Sequence, residues 1–237
     1  MIAAARLGVS AVVSCHSVHA IVTASGDPQL RRIVQTFDMV TPDGQPVRWA
    51  LNLLYGAKLK EPVTGRALTW AVCDLAAEEG VPIYLYGSTP EVIDALEGNL
   101  LRQFPGIKIA GAESPPFRPL SAAEDDELVR RINASGARIV FVGLGCPKQD
   151  TFAFEHRDRI AAVQVCVGAV FDFYAGHKNV APAWMQRHGL EWLFRLIQEP
   201  RRLWRRYLTT NSIFLFKLAA ALVRRNRNAA DTARGAP

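Results

Sequence analysis

Arg138-Ile-Val-Phe-Val-Gly-Leu-Gly-Cys-Pro-Lys-Gln149 is the stretch on which the fold turns. A run of β-branched and aromatic apolar residues stops at two glycines, a proline, a cation and an amide. That is a strand running into a tight turn, and the amphipathic Lys148-Gln-Asp-Thr-Phe-Ala-Phe-Glu that follows reads as a helix. The same strand-then-helix alternation extends in both directions. Further strands are expected in SAVVS (10–14), DMVTP (38–42), PIYLYG (82–87), IKIAGA (107–112) and VQVCVG (163–168). Further helices are expected in PVRWALNLL (46–54), ALTWAVCDLAAEEG (67–80), PEVIDALEGNLLRQFPG (90–106) and SAAEDDELVRRINASG (121–136), with the Lys148 helix reaching Ile160.

Local chemistry marks several boundaries. Thr89-Pro90 supplies a capping side chain and then a proline at the first helical position. Ser121 with Glu124 forms a capping box. Gly80, Gly106 and Gly136 stand where helices should stop. The body is therefore an α/β sheet with helices on its faces, and its ligand loops lie beyond the carboxyl ends of the strands.

Four such loops carry reactive or polar groups. Thr41-Pro-Asp-Gly44 sets the carboxylate of Asp43 at a strand end, although Pro-Asp-Gly is also ordinary turn chemistry and on its own favours a turn. Gly87-Ser88-Thr-Pro90 either offers backbone N–H groups to a phosphate or simply caps a helix. Gly143-Leu-Gly145-Cys-Pro-Lys148-Gln149 places a cation and an amide where a diphosphate and a sugar or base would meet them, or is a tight turn with an exposed lysine. Gly168-Ala-Val-Phe-Asp172-Phe carries an acid between two phenylalanines, and a structural role is favoured for it. His16 and His19, in SCHSVHA, lack a nearby third ligand and are read as polar cleft lining rather than a metal site.

Composition narrows the class. Of 237 residues, 49% are hydrophobic, enough for a core of normal size. The four cysteines are scattered and suggest neither a disulfide framework nor a zinc site, which fits a reducing compartment. The start, MIAAARLGVSAVVS, reads as a first strand rather than an export signal. No apolar run is long enough to span a bilayer. The net charge of +6 is uneven. From Glu191 onward ten basic side chains face three acidic ones, +7, and the remainder carries −1. This basic end also holds the stripes Trp192-Leu193-Leu196-Ile197 and Leu203-Trp204-Tyr207-Leu208, with Pro200 breaking or restarting the helix. Basic charge interleaved with Trp and Leu points to an anionic lipid surface rather than to nucleic acid. The last stretch, RRNRNAADTARGAP, reads as a loose tail.

In order, TPDGQPVRWA, VTG, YGSTPEV, FVGLGCPKQD, VGAVFDFYAG and APAWMQRHGLEWLFRLIQEPRRLWRRY resemble the WecB/TagA/CpsF family of bacterial glycosyltransferases from about residue 10 to 215. The resemblance implies a Rossmann-like, mainly parallel sheet with a C-terminal basic amphipathic helical appendage. The expected division is a glycosyltransferase domain over 1–190, a membrane-associating appendage over 191–225 and a disordered tail over 226–237. It implies inverting transfer of an N-acetylmannosamine-like sugar from a UDP-sugar to an undecaprenyl-diphosphate-linked acceptor in cell-surface polysaccharide synthesis, with no cofactor and no metal. Asp43 matches the family's general base and Gln149 its motif glutamine, with Asp150 in place of the usual Glu. The implied substrate-binding set is Cys15, Ser17, His19, Thr64, Gly65, Gly87, Ser88, Gly143, Gly145, Lys148, Gln149, Asp172, Arg201, Arg205 and Arg206.

The family's Thr-x-Asn is replaced by Cys15-His16-Ser17. Its Arg before VTG gives way to Glu61-Pro62, and its GxDL becomes Gly65-Arg-Ala-Leu68. A non-catalytic nucleotide-sugar-binding scaffold therefore stands as the alternative. Expected partners are the donor, the lipid-linked acceptor, the membrane surface at its cytoplasmic face and possible further copies of the chain, but not nucleic acid.

Overall fold

A computed structural model describes residues 1–234, and side chains through residue 227. In chain order the first half contains α1 (Ile2–Arg6), β1 (Ala11–His16), α2 (Val18–Gly26), α3 (Pro28–Gln35), β2 (Met39–Pro42), α4 (Gln45–Tyr55), α5 (Gly65–Glu78), β3 (Ile83–Gly87) and α6 (Pro90–Gln103). The second half contains β4 (Ile109–Glu113), α7 (Ala122–Ala134), β5 (Ile139–Gly143), α8 (Lys148–Glu155), β6 (Val163–Cys166), α9 (Val170–Tyr174), α10 (Ala183–Arg187), α11 (Glu191–Gln198) and α12 (Pro200–Arg234).

The six strands form one parallel sheet in the order β2-β1-β6-β5-β3-β4. Alternate residues along each strand feed two cores. Val13, Ile83, Leu85, Ile139, Phe141, Val163 and Val165 face α5 and α6, through Val72, Cys73, Ile93, Leu96 and Leu100. Val12, Tyr84, Tyr86, Val140, Val142 and Cys166 face α7 and α8, through Leu128, Ile132, Phe152 and Ala153. Both faces are covered, which is why these strands read as nearly continuous apolar runs. The chain turns outward from β3 to β4, then crosses back to β5 and on to β6. The crossovers after β3 and β5 therefore leave on opposite faces, and a crevice opens at the carboxyl ends of that pair.

The caps act as the sequence suggests. Thr89 caps α6, and Ser121 and Glu124 complete a reciprocal box at α7. Three details depart from the sequence reading. Ile2–Arg6 is a short helix and the first strand begins only at Ala11, because Gly8 takes a positive φ between them. α8 stops at Glu155, five residues early, where His156 leaves helical geometry and spends its ring on Phe152 O and Asp125. α2, α3, α9 and α10 are absent from the sequence reading, which has Val170–Tyr174 in a loop.

By contact the chain divides into two compact units. The first comprises Met1–Cys15, Asp27–Thr41 and Thr64–Val180; the second comprises His16–Gly26, Pro42–Val63 and Ala181–Pro237. In the second unit α12 packs on α2 and α4, with Phe214 against Val22 and Ala50 and with Val18, Ile21 and Leu218 around them. The anticipated start of the appendage, residue 191, falls inside this unit. α11 and α12 meet at Pro200, the expected restart. Of the anticipated loose tail, 226–237, residues 226–234 continue α12 as helix, and residues 235–237 lie outside the described residues.

Candidate functional site

The first unit gathers the glycine loops at the β3–β5 crevice. Gly87 and Gly143 are register partners at the ends of these strands. A Cβ on Gly87 would lie 2.6 Å from the Gly143 carbonyl carbon, and one on Gly143 would lie 2.5 Å from the Phe171 ring. Both strand ends are bare backbone: a side chain at Gly87 would have to push β5 away, and one at Gly143 would have to displace the Phe171 ring. Ser88 follows at φ 59, a left-handed conformation that non-glycine residues adopt rarely.

The turn after β5 brings Gly145, Gln149 and Gly168 together. A Cβ on Gly168 would meet Gln149 Oε1 at 3.2 Å and Gly145 Cα at 3.7 Å. Gln149 is 4% exposed, its N–H donates to Gly145 O at 2.9 Å, and its Oε1 is buried with no hydrogen-bond partner. An amide oxygen left this way costs about 1–3 kcal/mol unless something donates to it. Such a group calls for a donor from a ligand or from water. Lys148, one residue earlier, is exposed at the first turn of α8, the positive end of the helix dipole.

Two residues behind this loop hold it in place. Asp150 is fully buried and accepts from Ser14 Oγ at 2.7 Å, so the first turn of α8 is tied to β1. Cys166 Sγ donates to Gln149 O at 3.5 Å, and burial pushes its thiol well above the ordinary value, which keeps it an inert thiol. Cys15 is buried, with its Cβ 3.6 Å from where a Gly65 Cβ would stand. Thr64 caps α5 by accepting from Ala67 N at 3.2 Å. Asp172 faces Lys178 Nζ at 3.5 Å, while its carbonyl accepts from the amides of His177 and Lys178.

The second unit holds the acid. Asp43 N–H donates to His16 O at 3.1 Å, and Val63 N–H donates to Pro42 O at 3.1 Å. The Pro-Asp-Gly turn is thereby pinned on both sides before Gly44, at φ 91, opens α4. Ser17 O receives the amide of Ile21 at the start of α2. His19 lies on α2 with its Nδ1 buried and unpartnered. Burial, and then the positive charge of Arg206, lower its pKa to about 4, so the ring is a neutral imidazole at neutral pH.

Arg201, Arg205 and Arg206 are exposed on α12, with Arg205 5.1 Å from the Trp204 ring centroid. The stripe expected from Leu203, Trp204, Tyr207 and Leu208 splits. Leu203 is buried and Tyr207 packs edge-on against Trp192 at 6.0 Å, whereas Trp204 and Leu208 face outward. The inward stripe continues instead through Thr210 and Phe214, at helical spacing from Leu203.

Among the described residues no cluster of three His, Cys, Asp or Glu could hold a metal ion. Sequence reasoning passed over Ser14 and did not single out Gly168, which packs beside the Gln149 amide. Glycine ending a strand was the available signal for Gly168; for Ser14 there was none.

The chain matches, over residues 1–228, the family described as the glycosyl transferase WecG/TagA/CpsF family.

Proposed function

The chain belongs to the WecG/TagA/CpsF family of glycosyltransferases and so to the enzymes of cell-surface polysaccharide synthesis, and from this we propose a specific reaction for it. It moves an N-acetylmannosamine-like sugar from a UDP-sugar to a sugar linked to undecaprenyl diphosphate, with inversion. The acceptor hydroxyl oxygen attacks the anomeric carbon as the bond from that carbon to the diphosphate oxygen breaks. UDP leaves with the bonding pair. The Asp43 carboxylate takes the hydroxyl proton, a general-base role.

The observation that carries the reading is the buried, unpartnered Gln149 Oε1 packed against Gly168 and near Gly145, on the loop that leaves the strand end at Gly143. A donor sugar presents hydroxyl or amide protons of the kind this oxygen needs. Lys148 and the backbone N–H groups entering α8 suit the diphosphate, whose charge grows as UDP departs.

The second unit supports work at a membrane surface. No described helix is long and apolar enough to cross a membrane. Trp204, Leu208, Leu215 and Phe216 nonetheless point outward among Arg201, Arg202, Arg205 and Arg206. Such a helix lies in the interface of an anionic bilayer, each arginine contributing on the order of 1 kcal/mol.

The test is a panel of UDP-sugars offered with a synthetic lipid-diphosphate sugar acceptor, read by product mass. One donor should yield a product heavier by one sugar, and Asp43→Ala should abolish it. Equal slow release of UDP by wild type and Asp43→Ala sinks the base assignment. UDP binding without turnover across the panel favours the non-catalytic scaffold.

A further inference from the structure

On the α5–α6 face of the sheet, the first unit carries an open cavity of about 670 Å³. Its walls include Arg66 and Trp70 on α5, Asn99 and Arg102 on α6, and Phe173 and Tyr174 on α9. None of its lining residues is acidic. The catalytic reading does not use it.

The walls are held firmly. Tyr174 stacks on Trp70 with centroids 6.4 Å apart and planes 27° from parallel. Phe104 closes on Trp70 edge-on at 4.9 Å. Tyr174 Oη donates to Arg66 O at 3.1 Å, and Asn99 Nδ2 donates to Tyr174 O at 2.6 Å. Trp70 is still 44% exposed, an aromatic surface facing the cavity instead of finishing a core. Arg102 spends one N–H on Asn99 Oδ1, leaving most of its fork of donors to the groove.

The Arg102 end of the groove stands apart from the glycine loops. α6 starts beyond the carboxyl end of β3, and Arg102 stands twelve residues along it, roughly 18 Å down the helix at about 1.5 Å per residue. The Arg66 end of the groove adjoins Thr64 and Gly65, and the Arg102 end lies away from the Gly87 loop along α6.

We propose that this flank groove is a binding site for an anionic saccharide that carries no nucleotide, a glycan unit bearing a carboxylate or a phosphate. The apolar ring face of the sugar lies on Trp70 and Tyr174, and the anion is taken by the guanidinium of Arg102 with Arg66 beside it. Guanidinium pairs with either anion through two parallel N–H···O bonds. The cavity falls in the size range of small-molecule sites, mostly apolar with a few converging polar groups. That the ligand is a saccharide rests on the glycosyltransferase reading; that it is an anion on an aromatic floor rests on the groove.

The experiment is calorimetric titration of the full-length protein with four probes: a uronic-acid disaccharide, its carboxyl-reduced neutral counterpart, a sugar phosphate, and UDP. Either or both of the two anions should bind, and which does so identifies the source of the charge. The neutral sugar should bind at least tenfold more weakly than the anion that binds. Arg102→Gln, at an exposed position, should weaken that anion tenfold or more and leave UDP affinity and the melting temperature unchanged. Trp70→Phe, which keeps a ring, should cost less than Trp70→Ala.

The proposal is overturned if neither anion binds, if the neutral sugar binds equally, if UDP displaces the saccharide, or if Arg102→Gln alters self-association instead of saccharide binding. Donor turnover separates the two readings. Turnover without saccharide binding removes only the groove assignment, whereas Arg102-dependent saccharide binding without turnover removes only the catalytic one.

Discussion

Ser14 Oγ donates to Asp150 Oδ1 at 2.7 Å, a buried bond between residues 136 positions apart. It fixes the end of β1 to the first turn of α8, the turn that carries Lys148 and Gln149. Ser14→Ala leaves the buried carboxylate short of a donor and should destabilise the protein by about 1–3 kcal/mol. Urea unfolding measures this as a lower midpoint at unchanged slope.

The bare floor of the crevice predicts intolerance of a single methyl group. Gly143→Ala drives Cβ into the Phe171 ring, 2.5 Å away in the unrelaxed backbone, and should cost about 1–3 kcal/mol of stability. Gly145→Ala meets no atom within 4 Å and should suffer only from its positive φ. Comparing the two melting temperatures separates crowding from backbone strain.

Gln149→Ala removes the amide whose oxygen is buried without a donor. If that oxygen serves the donor sugar, kcat/KM should fall by about tenfold or more while the fold is kept or gains stability, since an unsatisfied group disappears. A variant that loses stability and keeps full activity would show that the amide only packs.

His19 titrates low because of burial first and Arg206 second. Its folded pKa of about 4 lies below the ordinary 6.5, so the fold prefers the neutral ring. The associated stability is fully present above pH 6.5 and is lost as pH falls toward 4. Arg206→Gln should raise the His19 pKa measured by NMR, but not all the way to 6.5, because burial remains. A pKa unmoved by the substitution would refute the contribution of Arg206.

Vesicle binding should distinguish the arginines of α12. Arg202 is ion-paired with Glu199, whereas Arg201 and Arg205 are exposed with no ion pair recorded among the described residues. Arg201→Gln and Arg205→Gln should each weaken binding to anionic vesicles about fivefold, the equivalent of about 1 kcal/mol, and Arg202→Gln should do less. Phe216→Ser, at a residue 75% exposed, should weaken binding to neutral and anionic vesicles alike.

Local signals carried most of the fold. Strands such as Ile139–Gly143 are apolar on both faces, and Thr89-Pro90 and Ser121-x-x-Glu124 mark helix starts by chemistry confined to four residues. α2 was missed because Val18–Gly26 mixes β-branched and small residues without a clear helical stripe. Its place is set by Phe214, nearly two hundred residues later. The candidate loops were legible because glycine, proline and cation cluster at strand ends. The flank groove was not, since Trp70, Asn99 and Tyr174 are scattered over a hundred positions and each alone reads as an ordinary helix residue. The outward turn of Trp204 and Leu208 was equally hidden, because the stripe that α12 buries depends on which helices receive it.

The inward row of Leu203, Thr210 and Phe214 gives the last helix a second duty. Val22 and Ala50 have Phe214 as their shared partner, so cutting the chain before α12 strips the cover from α2 and α4. A shortened protein would be expected to misfold or aggregate wherever it was placed. Its inactivity would then report on chain integrity rather than on attachment. Only substitutions on the outward side of the helix, made one at a time in the intact chain, can tell a foot from a keystone.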